Sequence, residues 1–313
     1  MGFCRGFAAV VSALAVAVPL IAHAAELPSC RTIRIASLGW ADNEALDGVF
    51  DAIAKGLGYQ VKVESLQLPA ILEGLKAKRL DLFLDNWLPT NAAALQPYLD
   101  AKSIEQLSPN VAGMGYGPAV PDYVAAAGVR DIADLAANAE RFGRRIYAVE
   151  VDSAADALLQ KRIDDPASGL RGWTIMAASE QGMIGQVQAL IAQQKWVVLL
   201  GWRPQPVMNK MPLVFLTGFE KDGFGAAEVT PLIRAGYRDE CPNLARLLAN
   251  LQFSPEMESM VMSDSTSVDS DGAGANWLTA HPDVLAPWLA GVTVFDGSDG
   301  LAAVRKSLGI SAP

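Results

Sequence analysis

Three short apolar runs, each closing on a tryptophan, constrain this chain more than any other feature. Val197 to Leu200 is an uninterrupted apolar run of strand length, followed by Gly201, Trp202, Arg203 and Pro204. Such a run suits a strand buried on both faces of a parallel sheet, and Pro204 cannot continue its ladder. Ile33 to Trp40 ends in Gly39 and Trp40, and Leu80 to Pro89 ends in Trp87, Leu88 and Pro89. Each tryptophan is expected where a strand emerges into a loop. In open α/β sheets, ligands bind just beyond the carboxyl ends of strands. A tryptophan there is either the last brick of the core or a wall of a binding site.

The stretches between these runs fit an α/β fold. Leu46, Val49, Phe50, Ile53 and Leu57 recur at helical spacing and Gly58 suits the helix end. Tyr59 to Leu66 alternates as a strand, and Leu68, Ile71, Leu72 and Leu75 mark a second helix before the strand at 80–84. Strand, helix, strand, helix, strand is the pattern of a parallel sheet. Gly113 to Pro121, with three glycines and two prolines, predicts a loop or strand crossing between lobes. A second α/β series follows, through helices near 131–141, 154–162 and 180–194 and strands near 145–150, 173–176 and 196–200. Beyond Met211 to Leu216 the chain returns through Ile233 to Arg238. The final third is mostly helical, with Leu244, Leu247, Leu248 and Leu251 on one face and a Ser/Asp-rich interruption from Ser263 to Gly274.

The first two dozen residues read as a secretory leader: Arg5, an apolar stretch from Ala8 to Ile21, and Ala22-His23-Ala24 as a small-x-small cleavage site. The apolar stretch is too short to span a bilayer. Removing Arg5 with the leader moves the formal charge from −9 to −10, a poor match to nucleic acid or anionic membranes. About 290 residues remain, enough for two lobes. Of the cysteines only Cys30 and Cys241 survive, and an even pair in an exported protein predicts a disulfide. That bond requires a late segment to return beside the first strand.

Signatures of catalysis are sparse. Only His281 lies outside the leader, which excludes His-rich metal sites and ordinary His-based triads. The sequence has no Gly-x-Ser-x-Gly, phosphate loop or dinucleotide fingerprint. His281, before Pro282, reads as a surface residue. Asp269-Ser-Asp271-Gly272 lacks the distal Glu of a calcium loop and reads as a capped turn.

The aromatics say more. Trp40, Trp87, Tyr116 and Trp202 each stand close to glycine, asparagine or proline at an expected strand or crossover end, and Asp42 follows Trp40 by two residues. Trp173, Trp196, Trp277 and Trp288 lie within runs and read as core. An aromatic box with one carboxylate is what a quaternary ammonium needs. Such a cation has no N–H to donate, so ring faces must recognise it, each contributing roughly 0.5–2 kcal/mol. The carboxylate offsets the cost of burying the charge. Sugar stacking on tryptophan and plain core packing are the alternatives.

The chain resembles the substrate-binding proteins of ABC importers for glycine betaine and choline, most closely the periplasmic choline-binding type. The resemblance lies in Leu38-Gly-Trp-Ala-Asp42, Asp81-Leu-Phe-Leu-Asp-Asn-Trp-Leu-Pro-Thr90, Ser179-Glu-Gln-Gly-Met183, Trp196-Val-Val-Leu-Leu-Gly-Trp202, Arg234-Ala-Gly-Tyr-Arg-Asp-Glu-Cys-Pro-Asn243 and Trp288 to Gly297. It implies a two-lobed type II periplasmic-binding fold closing on its ligand by a hinge. Residues 1–24 would be the leader, 26–115 and 216–313 one lobe, and 116–215 the other. It carries over Trp40, Trp87, Tyr116 and Trp202 as the box, Asp42 as its carboxylate, and the Cys30–Cys241 bridge. It implies a non-enzymatic, monomeric, periplasmic protein without cofactor, whose partners are a quaternary ammonium ligand and an importer's permease and ATPase.

Two departures bear on the ligand. Glu150-Val-Asp-Ser153 replaces the family's Glu-Pro-Gly-Asn, so Ser153 stands where the choline-binding type has an Asn on the ligand's polar end. Trp202-Arg-Pro-Gln205 replaces Trp-x-Pro-His. Choline ends in a hydroxyl, betaine and carnitine in a carboxylate, and a buried carboxylate demands N–H donors or a cation. Asp42 and the missing His favour choline, whereas Arg203 keeps the acids open.

Overall fold

The computed structural model describes residues 26–151, 153–265 and 270–311. The expected leader, Asp152 and Asp269 lie outside the described residues. The strands are β1 (Thr32–Ser37), β2 (Gln60–Ser65), β3 (Leu82–Leu88), β4 (Ile104–Gln106), β5 (Val111–Pro121), β6 (Arg145–Val149), β7 (Thr174–Ala178), β8 (Leu199–Arg203), β9 (Leu213–Phe215) and β10 (Gly225–Arg234). They join in one mixed sheet ordered β2-β1-β3-β10-β5-β8-β6-β7, with β4 on β10 and β9 on β5. Each end of this path is parallel, β2-β1-β3 and β8-β6-β7, and the two antiparallel strands β10 and β5 join them. Sheet and flanking helices make the α/β fold that the sequence predicts.

The periodic segments form helices where their apolar stripes require them, at Ala41–Gly56, Leu68–Lys76, Ala154–Asp164, Glu180–Ala192 and Pro242–Asn250. The apolar stripe of Ala41–Gly56 is buried from Ala45 to Ala54, against Pro255–Ser265 and Ser270–Ala280. The latter crosses closely at Gly274, where a Cβ would come within 2.3 Å of the Gly48 backbone. Only glycine fits at that crossing. Ser270–Ala280 begins inside the segment read as a capped turn.

Cys30 and Cys241 form a disulfide, as expected. Beside it, Asp81 accepts from Arg34 Nε at 2.8 Å and from Arg234 Nε at 2.8 Å, so charge pairing reinforces the return of β10 to β1 and β3.

The strand boundaries differ from the sequence expectation in a way that matters. β8 runs from Leu199 to Arg203 rather than 196–200, because its ladder is set mainly by antiparallel β5, from Ala119 opposite Leu199 to Gly115 opposite Arg203. Its parallel partner β6 meets it only at Leu199. Trp202 and Trp87 therefore lie inside strands, not past their ends. Trp196 is outside the strand and half-buried, with the Arg141 guanidinium 3.2 Å over its ring. Trp173, Trp277 and Trp288 are core. His281 is not simply a surface residue: it is half-buried and stacks on Trp277 at 4.7 Å. The return through Ile233 to Arg238 is made by β10, which ends at Arg234, and by a helical turn from Tyr237 to Glu240.

Candidate ligand-binding site

The four aromatics singled out in the sequence meet at the junction of the two halves of the sheet. Gly39, at φ +77°, turns the chain out of β1, and Trp40 occupies the N-cap of the helix Ala41–Gly56. Trp87 comes from β3, while Tyr116 of β5 and Trp202 of β8 are directly paired across their ladder. Ring centroids lie 6.4 Å apart for Trp40–Trp202, 5.5 Å for Trp87–Tyr116 and 6.5 Å for Tyr116–Trp202. Phe224 backs Tyr116 at 5.7 Å. Trp40 is half-buried; the other three are buried.

Asp42 is in the first helical turn rather than in the loop, and its side chain is fully buried. Trp87 Nε1–H donates to its Oδ2 at 3.1 Å, while Oδ1 has no hydrogen-bond partner. Burial, reinforced by the Glu180 carboxyl, pushes its pKa up to about 7. Hydrogen bonds from Trp87 and the helix N-terminal backbone pull the other way without offsetting desolvation. Behind it lie further buried acids. Asp47 accepts from Asn43 Nδ2 at 3.1 Å, while Asp85 and Glu258 have no hydrogen-bond partner for either carboxyl oxygen. Burial holds all three well above the usual carboxylate range, and repulsion adds to it, from Glu44, Asp51 and Asp42 for Asp47, from Asp42, Glu258 and Asp47 for Asp85, and from Asp42 for Glu258. Among the described residues no ion pair involves Asp42, Asp47, Asp85 or Glu258. No group of three His, Cys, Asp or Glu side chains among the described residues is placed to hold a metal ion.

A second carboxylate bridges the junction. Glu180, at the start of the helix packed on β6 and β7, accepts the Ala41 N–H at 2.9 Å and Gln205 Nε2 at 3.1 Å. It caps from outside a helix whose own N-cap, Trp40, supplies no side-chain acceptor. Gln205 in turn accepts the N–H groups of Val207 and Met208.

A cavity of about 30 Å3 opens among Trp40, Trp87, Tyr116, Glu150 and Ser153. Trp202 touches two of the lining rings but does not itself line the cavity. Ser153 lines it while its Oγ caps the helix Ala154–Asp164, accepting the Asp156 N–H at 3.1 Å. Arg203 is placed elsewhere. Strand alternation turns it from Trp202, and it is exposed, its guanidinium donating to the Leu213 carbonyl at 3.3 Å and lying 5.5 Å from the Phe215 ring.

Sequence reasoning did not place Glu180, Glu150, Asp85 or Glu258 in the site. Asp85-Asn86 interrupting the apolar run of β3 was a readable sign of buried polar chemistry. Nothing local marks the others.

Residues 31–280 match the family described as the substrate-binding domain of ABC-type glycine betaine transport systems. Among solved structures, an ABC-transporter choline-binding protein in complex with choline is 37% identical, covers 91% of this chain and 100% of its own, and aligns with a TM-score of 0.87. An ABC-transporter choline-binding protein in an unliganded semi-closed conformation, also 37% identical, covers 90% of this chain and 100% of its own, with a TM-score of 0.81. The glycine betaine/carnitine transport binding protein GbuC of Listeria monocytogenes is 28% identical over 48% of this chain and 51% of its own length. These are transport proteins that bind a substrate, and no helix among the described residues is long and apolar enough to cross a membrane. The chain belongs to the substrate-binding domain family of ABC-type glycine betaine transport systems.

Proposed function

We propose that this protein captures a quaternary ammonium alcohol, choline first, and delivers it to the permease and ATPase of an ABC importer, without catalysis. The observation that carries the choice of ligand is the placement of Arg203, whose guanidinium is engaged at Leu213 and Phe215 on the face away from the box. A carboxylate-ended ligand such as betaine or carnitine needs a cation or several N–H donors at its acid end. The polar side chains of the cavity lining are Gln67, Thr90, Asn91, Glu150 and Ser153, with no cation among the described residues there. The box proper is Trp40, Trp87, Tyr116 and Trp202, with Asp42 beneath the ammonium and Ser153 toward its polar end.

In this reading residues 26–115 and 216–313 form one lobe and 116–215 the other, in keeping with the change of β5's partner from β10 to β8 around Gly115 and Tyr116. The lobes rock about β5 and β10, and Glu180 fastens them when closed. The protein works as a monomer in the periplasm, exported by a leader cut near Ala24. Isothermal titration with choline, glycine betaine, carnitine and acetylcholine tests the reading. Choline should bind most tightly; heat from none of the four would end it.

A further inference from the structure

The polar end of the cavity holds a group that the aromatic box does not use. Glu150 follows β6 at its carboxyl end, the position at which α/β sheets present ligands. Its backbone sits at φ +57°, a left-handed conformation uncommon for Glu, and its N–H is fixed to the Ala178 carbonyl at 2.8 Å. It lines the cavity together with Ser153, Trp40 and Trp87, and its Oε2 is buried without a hydrogen-bond partner. A carboxylate oxygen is an acceptor only. Leaving one buried and unmatched is costly, whereas a partner that donates an O–H removes that cost.

We infer that Glu150 is the residue that selects an alcohol over an acid, by accepting the hydrogen bond of the ligand's terminal hydroxyl. This rests on the trimethylammonium reading above and adds to it the group that reads the other end of the molecule. Asp42 is ill-suited to the task, because one of its oxygens is bonded to Trp87 Nε1 and it sits among the acids of the floor. Ser153, whose Oγ already accepts the Asp156 N–H, still has its own O–H to donate. The pair thus offers one acceptor and one donor, the complement of a hydroxyl. A ligand carboxylate in the same place instead sets acceptor against acceptor.

The test is isothermal titration of the wild type and Glu150→Ala with choline, ethyltrimethylammonium and glycine betaine. Ethyltrimethylammonium keeps the cation and lacks the hydroxyl. Wild type should bind choline about tenfold or more tighter than either analogue. In Glu150→Ala the preference for choline over ethyltrimethylammonium should shrink about tenfold, because no acceptor is left for the hydroxyl, and betaine should gain on choline as the opposed carboxylate is removed. Loss of a charge near the ammonium weakens choline and ethyltrimethylammonium alike, so their ratio isolates the hydroxyl. If circular dichroism shows Glu150→Ala misfolded, Glu150→Gly, which adopts the left-handed backbone freely, reads the same ratios. Unchanged ratios in a folded variant, or a wild type indifferent to the hydroxyl, overturn the assignment of Glu150. A wild type that binds neither choline nor ethyltrimethylammonium overturns the aromatic box itself.

Discussion

Uptake of a cation over Asp42 should release a proton. In the ligand-free protein burial first, and then Glu180, lift this carboxyl from 3.8 to about 7, which corresponds to about 4 kcal/mol set against its ionisation. An ammonium seated on the rings reverses the balance, since a nearby positive charge favours the carboxylate. The groups facing Asp42 are themselves acids: Glu180 from across the junction, Asp47 from its own helix, Asp85 from β3 and Glu258 from Pro255–Ser265. None supplies the missing charge. Below about pH 7 the dissociation constant for choline should therefore rise by up to about tenfold per pH unit, levelling off at the pKa of the liganded state. Above about pH 8 it should be flat. Titration calorimetry at about pH 6 in two buffers of different ionisation enthalpy counts the released protons directly, and Asp42→Asn should remove both the buffer dependence and most of the pH slope. The sign for stability is opposite to that of an ordinary salt-bridged Asp. The native state binds more protons than the unfolded chain between about pH 4 and 7, so ligand-free stability falls as pH rises through that window. A choline affinity constant from about pH 5.5 to 8.5, with a buffer-independent enthalpy, would refute this reasoning.

Trp40 is the half-buried member of the box, so Trp40→Ala should weaken choline by about 2- to 30-fold, the worth of one ring, while lowering the melting temperature less than Trp202→Ala, whose ring is 3% exposed. Equal affinity in Trp40→Ala would place that ring outside the site. Glu180→Ala removes the acceptor for Ala41 across the junction and for Gln205 on its own side, and stopped-flow measurement should show choline leaving about tenfold faster; an unchanged rate would mean that closure does not depend on it. Replacing Cys30 and Cys241 by serine opens a link spanning 211 residues, which in the chain-entropy model costs about 5 kcal/mol. Denaturant unfolding should report most of that loss, with choline affinity preserved because the bridge lies far from the box.

The alternation of apolar runs and helical stripes was enough to read an α/β fold, because those periods are set by burial against the nearest layer. The path of the sheet was not readable. That β10 inserts between β3 and β5, and that β8 extends through Trp202, depends on antiparallel pairing between segments about a hundred residues apart, and local sequence carries no trace of register. The proposed box was legible for a local reason: Trp40 and Trp202 each follow a glycine, and Trp87 stands two residues before a proline. Asp42 was legible by its nearness to Trp40. Glu180 reaches Ala41 from 139 residues away, and Glu150 matters only because β6 ends at the cavity that Trp40, Trp87 and Tyr116 also line. Both are ordinary acids until the fold places them.

Intrinsic tryptophan fluorescence during a choline titration tests the central claim most directly. Because Trp40, Trp87 and Trp202 cluster at the site, choline should produce a saturable spectral shift that glycine betaine reproduces only at much higher concentration. A spectrum unmoved by choline or any other trimethylammonium compound would contradict the account.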